Sequence, residues 1–511
     1  MLVQEFLERS ALRTPDKVAL VCDGKRFTYA QIEKSANRIA NFLTNKGLKR
    51  GDRVVVYLPN CEEAISSLFG ILKAGGVFVM LNPTTKYDKV VQILNNCQAS
   101  AIIALEKDLE FFKRVRVDVF SILAMIQVDH LNKVANSEVV AGLSAYSEIM
   151  AFSGEQQPKK VNIDLDLACL VYTSGSTGDS KGVMSDHSNV DFATSSIISY
   201  LENTAEDIVI NCLPLSFDYG LYQLLMVFKF GGTLILEKGF VFPAAILSQI
   251  HAERVTGFPG VPTIFALLLH LDISQFDLSS LRYITNTAAA LPVSHILQLR
   301  DKFPGVKLFS MYGLTETKRT LYLPPEELNN RPGSVGIAIP GTEVWLEDEA
   351  GTRLGNGQTG ELVVRGRHVM RGYWNAPEAS AARFRPGSLP NERVCHTGDL
   401  FRSDEDGFYY FVSRKDDIIK TRGEKVSPVE LERVLYGING VVKAAVIGVE
   451  DDVLGQAIKA ILVSQNPLLT QKDVLGYLRN HVEDYMVPKY VEFVPDLPVS
   501  ESGKILKRDL K

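Results

Sequence analysis

From Thr173 to Lys181 the chain reads Thr-Ser-Gly-Ser-Thr-Gly-Asp-Ser-Lys, a short run dense in hydroxyls with two glycines and one cation. Gly175 and Gly178 let successive backbone N–H groups turn toward an anion, while Thr173, Ser174, Ser176 and Thr177 add hydroxyl donors. Lys181 places a positive charge at the rim. These groups together suit the grip of phosphate oxygens. The spacing differs from G-x-x-x-x-G-K-[ST], because only two residues separate the glycines and no hydroxyl follows the lysine, so a P-loop NTPase is disfavoured. A Gly/Ser linker has a similar composition. Here, however, the run lies between the strand-like Leu170-Val171-Tyr172 and the ordered segment Gly182-Val183-Met184, which is not where a linker sits.

Four more clusters follow downstream: Tyr312-Gly313-Leu314-Thr315-Glu316, His396-Thr397-Gly398-Asp399, Ser413-Arg414-Lys415-Asp416-Asp417 and Ser502-Gly503-Lys504. Each alone reads as a helix cap or a turn. In this order, and with a family-like opening at Phe27-Thr28-Tyr29, they resemble the adenylate-forming superfamily of acyl-CoA ligases, luciferases and peptide-synthetase adenylation domains over nearly the whole chain.

The resemblance implies roles for individual residues. The 173–181 loop would hold the outer phosphates of ATP, with Tyr312, Gly313, Ala288 and Ala289 also at the nucleotide. Thr315 would meet the α-phosphate and Glu316 would help hold Mg2+, an ion that triphosphate chemistry calls for. Asp399 would accept both ribose hydroxyls, Arg414 would reach the ribose, and Asp416 would be the hinge of a mobile terminal domain. Lys504 would bridge the substrate carboxylate and phosphate in the transition state, and Gly423 would line a thiol tunnel. Two positions depart from the pattern. Ser180 stands where a proline usually precedes the lysine, and Asn286-Thr287-Ala288-Ala289-Ala290 replaces a glycine-rich adenine-side segment.

The acid is addressed by Phe217-Asp218-Tyr219. In amino-acid-activating relatives an aspartate at this place meets the substrate ammonium, so Asp218 favours an amino acid, because an unpaired carboxylate against an alkyl pocket is costly to desolvate. The same residue could instead cap the helix that follows it. Tyr219, Tyr222, Phe258 and Met311 would crowd the pocket around a compact side chain, with L-proline the nearest in flavour. The expected product is an aminoacyl-AMP passed to the phosphopantetheine thiol of a carrier protein in trans. Two alternatives stay open: an acyl-CoA ligase using free coenzyme A with a fatty, aryl or hydroxy acid, and a non-catalytic binding protein that keeps the fold.

The elements that must position these groups alternate along the chain. Strand-like Arg53 to Leu58 precedes the amphipathic 62–74 segment and then Val77 to Leu81, and similar pairs recur at 207–212, 233–236 and 281–303. This rhythm predicts an α/β fold of mostly parallel sheets flanked by helices. From Thr342 to Arg365 the pattern turns β-rich, predicting a barrel-like subdomain. A short α+β unit follows Asp416, with strands at 418–420, 441–449 and 490–494 and helices at 428–436 and 471–482. The expected division is residues 1–413 for ATP and substrate and 414–511 as the mobile domain with the catalytic lysine. A chain of 511 residues exceeds one core, and a net charge of −5 offers no basic field for nucleic acid. The acidic, amphipathic start is unlike a secretory signal, no apolar run spans a membrane, and six cysteines lack C-x-x-C pairing, so a cytoplasmic enzyme is expected.

Overall fold

The computed structural model describes all residues except 106–108, 129–139, 153, 175–179, 241, 290, 422–423, 452–453, 501–504 and 511. Among the described residues, two large sheets dominate. The first runs Leu143–Ala145, Ala124–Gln127, Ala99–Ala104, Arg53–Tyr57, Val77–Leu81, Leu167–Ser174, Ser180–Asp186. The second is longer, from Ile337–Ala338 through Leu321–Tyr322, Lys307–Tyr312, Tyr283–Asn286, Gly257–Gly260, Ile208–Asn211 and Thr233–Leu236 to Val18–Cys22 and Lys25–Thr28.

Their interiors are parallel, as the alternation of strands and helices requires, but both margins of the second sheet and the Ser180–Asp186 margin of the first are antiparallel, the Leu143–Ala145 edge being parallel. Tight hairpins need antiparallel partners, and it is a hairpin, Leu167–Ser174 with Ser180–Asp186, that carries the Gly/Ser run. Between the sheets lies a helical layer. The Glu62–Lys73 helix is buried from Ala64 onward, as expected of a helix enclosed on all sides. Against it packs the Asp218–Phe230 helix, where Phe228 meets Phe69 at 5.2 Å and Tyr29 at 5.4 Å between ring centroids. Tyr29 also donates to the Gly232 carbonyl at 2.8 Å, which ties the Tyr29–Asn45 helix to the end of that element.

The β-rich segment forms a sheet of Glu343–Glu347, Thr359–Arg365, Arg393–Ser403 and Phe384–Pro386, with Tyr409–Arg414 pairing along Arg393–Ser403. After Asp416 comes a further sheet with its own apolar core around Leu431, Val446, Ala460 and Leu478. One of its strands, Gly455–Ser464, was not expected from the sequence. Its run Ala-Ile-Lys-Ala-Ile-Leu suits a helix equally, and pairing along Val441–Asp451 decides the outcome. No described helix is long and apolar enough to cross a membrane.

Candidate active site

The hairpin places Thr173 opposite Lys181 and Ser174 opposite Ser180. Its tip, with Gly175, Ser176, Thr177 and Gly178, lies outside the described residues, as does the Ser174 side chain. The returning strand is pinned by the 372–374 segment: the Met184 N–H donates to the Gly372 carbonyl at 2.9 Å, and the Trp374 N–H donates to that of Gly182 at 2.7 Å. Lys181 Nζ therefore sits 5.5 Å from the centre of the Tyr373 ring. The Tyr373 hydroxyl in turn donates to Glu316 Oε1 at 2.6 Å, and Arg383 Nε stands 4.0 Å from the same oxygen. Burial, with the Glu316 charge beside it, pushes the Tyr373 hydroxyl up, so it stays a donor.

Nothing among the described residues bonds Glu316 Oε2. A Mg2+ ion takes one or two carboxylates plus substrate phosphates, so this single oxygen fits such an ion.

A second cluster is built around Tyr312, which precedes Glu316 by one turn of chain. This residue ends the Lys307–Tyr312 strand, and its hydroxyl donates to Asp399 Oδ2 at 2.7 Å. Arg414 Nε donates to Asp399 Oδ1 at 3.2 Å, an arrangement dictated by register, since Asp399 and Arg414 face each other across paired strands. Behind them, buried Glu361 accepts from the Gly398 N–H at 2.8 Å and from Lys415 Nζ at 2.6 Å. Burial pushes the Glu361 carboxyl up, but His396, Lys415 and the Gly398 amide outweigh it and hold the group down at about 2. His396 Nδ1 is 3.7 Å away, too far for a hydrogen bond, so its influence is that of a nearby polar ring. Asp416 follows Lys415 in a short 3-10 turn, Lys415–Asp417.

Thr315 and Glu316 lie on a turn in which the Thr317 N–H donates to the Leu314 carbonyl and the Thr320 N–H to that of Tyr312. Gly313 is indispensable to its closure, because a Cβ there would come 1.7 Å from the Lys318 carbonyl oxygen.

On the acid side, Asp218 opens the Asp218–Phe230 helix and is 6 % exposed. The helix is capped by Phe217 without a side-chain bond, so the alternative reading of Asp218 as a capping residue finds no hydrogen bond behind it. No partner for its carboxylate is found among the described residues. Tyr219 is fully buried and donates to the Thr285 carbonyl at 2.8 Å, so it braces helix against sheet. Phe258 is likewise fully buried, and Met311 Sδ accepts from Tyr200 at 3.0 Å. The Tyr222 hydroxyl is buried without a partner. Ala288 adopts a left-handed backbone with φ of 77°, and the Ala289 carbonyl accepts from Asn286 Nδ2 at 3.2 Å. Gly423 and Lys504 lie outside the described residues.

Tyr373, Arg383, Glu361 and Lys415 were not singled out in the sequence, and neither were the buried Lys318 and Arg319. Tyr373 and Arg383 sit in unremarkable surroundings, whereas the Thr-Lys-Arg-Thr run beside Glu316 was a visible oddity: two cations continuing a motif turn.

Residues 7–374 match the model of the AMP-binding enzyme family, and residues 430–504 match that of the AMP-binding enzyme C-terminal domain. The chain belongs to the AMP-binding enzyme family. It is 34 % identical to a long-chain-fatty-acid–CoA ligase of Bacillus subtilis, over 99 % of this chain and 94 % of the relative. It is 33 % identical to a feruloyl-CoA synthase of an Amycolatopsis species, over 98 % of this chain and 97 % of that one. Among solved structures, the anthranilate–CoA ligase AuaEII with anthranoyl-AMP superposes with a TM-score of 0.90 at 26 % identity, covering 100 % of this chain and 96 % of the other. ATP-bound MatB from Rhodopseudomonas palustris gives 0.89 at 27 % identity, covering 100 % and 98 %. This protein is an AMP-forming acid–thiol ligase with the α/β architecture of adenylate-forming enzymes.

Proposed function

We propose that the ligase condenses an organic acid with ATP to an acyl-AMP, releasing pyrophosphate, and then passes the acyl group to the thiol of coenzyme A. The observation that carries this reading is the pair of clusters on either side of Arg383: Lys181, Tyr373 and Glu316 on one side, and Tyr312, Asp399 and Arg414 on the other, with the Arg383 guanidinium 4.0 Å from Glu316 and within electrostatic reach of Asp399. In it, Lys181 and the Gly/Ser tip take the β- and γ-phosphates, Thr315 the α-phosphate, and Glu316 one position on Mg2+, which neutralises phosphate charge when bound. Asp399, already oriented by Tyr312 and Arg414, keeps lone pairs for the ribose hydroxyls. Preorganised donors of this kind lower the barrier because they need no rearrangement as charge shifts to pyrophosphate.

Lys504 is assigned to the first step, and residues 414–511 are assigned to rotate about Asp416 so that the thiol enters along Gly423 for the second. Coenzyme A is preferred as acceptor because the similar proteins named above are CoA ligases. A second reading, activation of an amino acid such as L-proline for a carrier protein, is favoured by the buried carboxylate of Asp218, which an ammonium would pair.

The test is to separate the half-reactions. Lys504→Ala is expected to lose pyrophosphate exchange by on the order of a hundredfold or more while converting supplied acyl-AMP and coenzyme A to thioester. Equal loss of both steps would remove Lys504 from its role, and thioester formed only on a carrier thiol would favour the second reading.

A further inference from the structure

Buried charges in this protein come with partners. Lys73, whose side chain is 1 % exposed, is held by Glu8 at 3.0 Å and Glu33 at 2.7 Å. Asp207 is met by Arg282 at 2.8 Å, Asp399 by Arg414 and Tyr312, and Glu361 by Lys415. Lys318 breaks the pattern: it is fully buried, and its Nζ has no hydrogen-bond partner. Asp218, 6 % exposed, likewise has no partner among the described residues, and no ion pair joins the two.

Both lie against one turn of one helix. Lys318 Nζ stands 5.5 Å from the centre of the Tyr222 ring, and Tyr222 is one helical turn beyond Asp218. The hydroxyl of Tyr222 is itself buried without a hydrogen-bond partner. Next in the chain, Arg319 is 3 % exposed, lies 4.4 Å over the Tyr219 ring, and makes only a long 3.5 Å bond to the Lys318 carbonyl among the described residues. Two cations and a free phenol thus converge on the first turns of the helix that Asp218 opens. An ammonium buried without a counter-charge is costly. It is also held there deliberately, since Lys318 has a left-handed φ of 57° and its carbonyl is packed on Gly313.

We propose that the acid activated by this ligase carries a second anionic group, a carboxylate distal to the reacting one, received by the Lys318 ammonium and the Tyr222 hydroxyl. The inference rests on the ligase reading and narrows its substrate. An unsubstituted alkyl or aryl acid leaves Lys318 unpaired. A simple amino acid answers Asp218 but leaves both cations. The reacting carboxylate surrenders its charge on becoming an acyl phosphate and belongs at the nucleotide, whereas Lys318 sits one helical turn behind Asp218. A distal carboxylate can accept an ammonium bond and a phenolic O–H bond together, and charge-assisted bonds between buried groups are the strong ones.

The experiment is acid-dependent ATP–pyrophosphate exchange with matched pairs: each α,ω-diacid from succinate to sebacate against the monoacid of equal length, and terephthalate against benzoate. The wild-type enzyme should show at least one pair in which the diacid has the higher kcat/KM. Lys318→Met should lower that diacid-to-monoacid ratio by about tenfold or more and raise the melting temperature, because methionine fills the same space without a buried charge. Tyr222→Phe, which removes only the hydroxyl, should lower the ratio severalfold and serves if the first variant does not fold. Exchange with monoacids but with no diacid overturns the inference and leaves the ligase reading standing. Equal loss on both members of a pair places Lys318 at the reacting carboxylate and also overturns it. Exchange with none of these acids overturns this inference, and exchange with an amino acid in their place favours the amino-acid reading of the same ligase.

Discussion

At Ala288 an L-residue holds a backbone conformation that glycine adopts freely, with φ of 77°. The sequence marked this segment as departing from a glycine-rich pattern, and the structure places an alanine in a left-handed backbone there. Ala288→Gly is therefore expected to stabilise the fold by about 1 kcal/mol in denaturant titration, since relief of the strain exceeds the added entropy of the unfolded chain. Glu361 gives a second prediction at this scale. Its carboxyl is held down at about 2 against an ordinary value of 4.5, so its contribution to stability is fully present above pH 4.5 and is lost as pH falls toward 2. Glu361→Gln should cost roughly 2 kcal/mol at neutral pH and flatten the fall of melting temperature between pH 4.5 and 2. A variant with the wild-type acid slope would deny Glu361 this role.

Among elements, the turn from Gly313 to Thr320 matters most, because it carries Thr315 and Glu316 on one side and Lys318 and Arg319 on the other. It closes only over a residue without a side chain: Gly313→Ala would drive a Cβ to 1.7 Å from a backbone oxygen. That variant is expected to lose at least 2 kcal/mol or so of stability and nearly all exchange activity. Normal folding and turnover would show that the turn is softer than its geometry. Legibility also follows element type. Strands such as Val77–Leu81 and Thr233–Leu236 were readable from apolar runs, and the Glu62–Lys73 helix from the amphipathic 62–74 segment. The antiparallel margins and the Gly455–Ser464 strand were not, because hairpin pairing is a tertiary choice that local composition does not encode. The Tyr373–Glu316 contact was equally hidden: it depends on residues 372–374 lying across the hairpin from a distance of nearly two hundred positions.

For the whole molecule, five short motifs scattered over the chain announced a nucleotide-handling enzyme, and the fold joins Lys181 to Glu316 through Tyr373 and joins Asp399 to Tyr312 and Arg414, with Arg383 beside Glu316. Motif order carried that much because each motif serves the same ligand. The acid was less legible, since specificity comes from burial, and burial of Lys318 and Asp218 is visible only once sheet and helix enclose them. The central claim, acid activation through an adenylate, is tested most directly by incubating the enzyme with ATP, labelled pyrophosphate and one acid at a time. Label should return to ATP only when an accepted acid is present, with AMP as the nucleotide product once coenzyme A is added. Acid-dependent formation of ADP and phosphate, with no label in ATP, would contradict it.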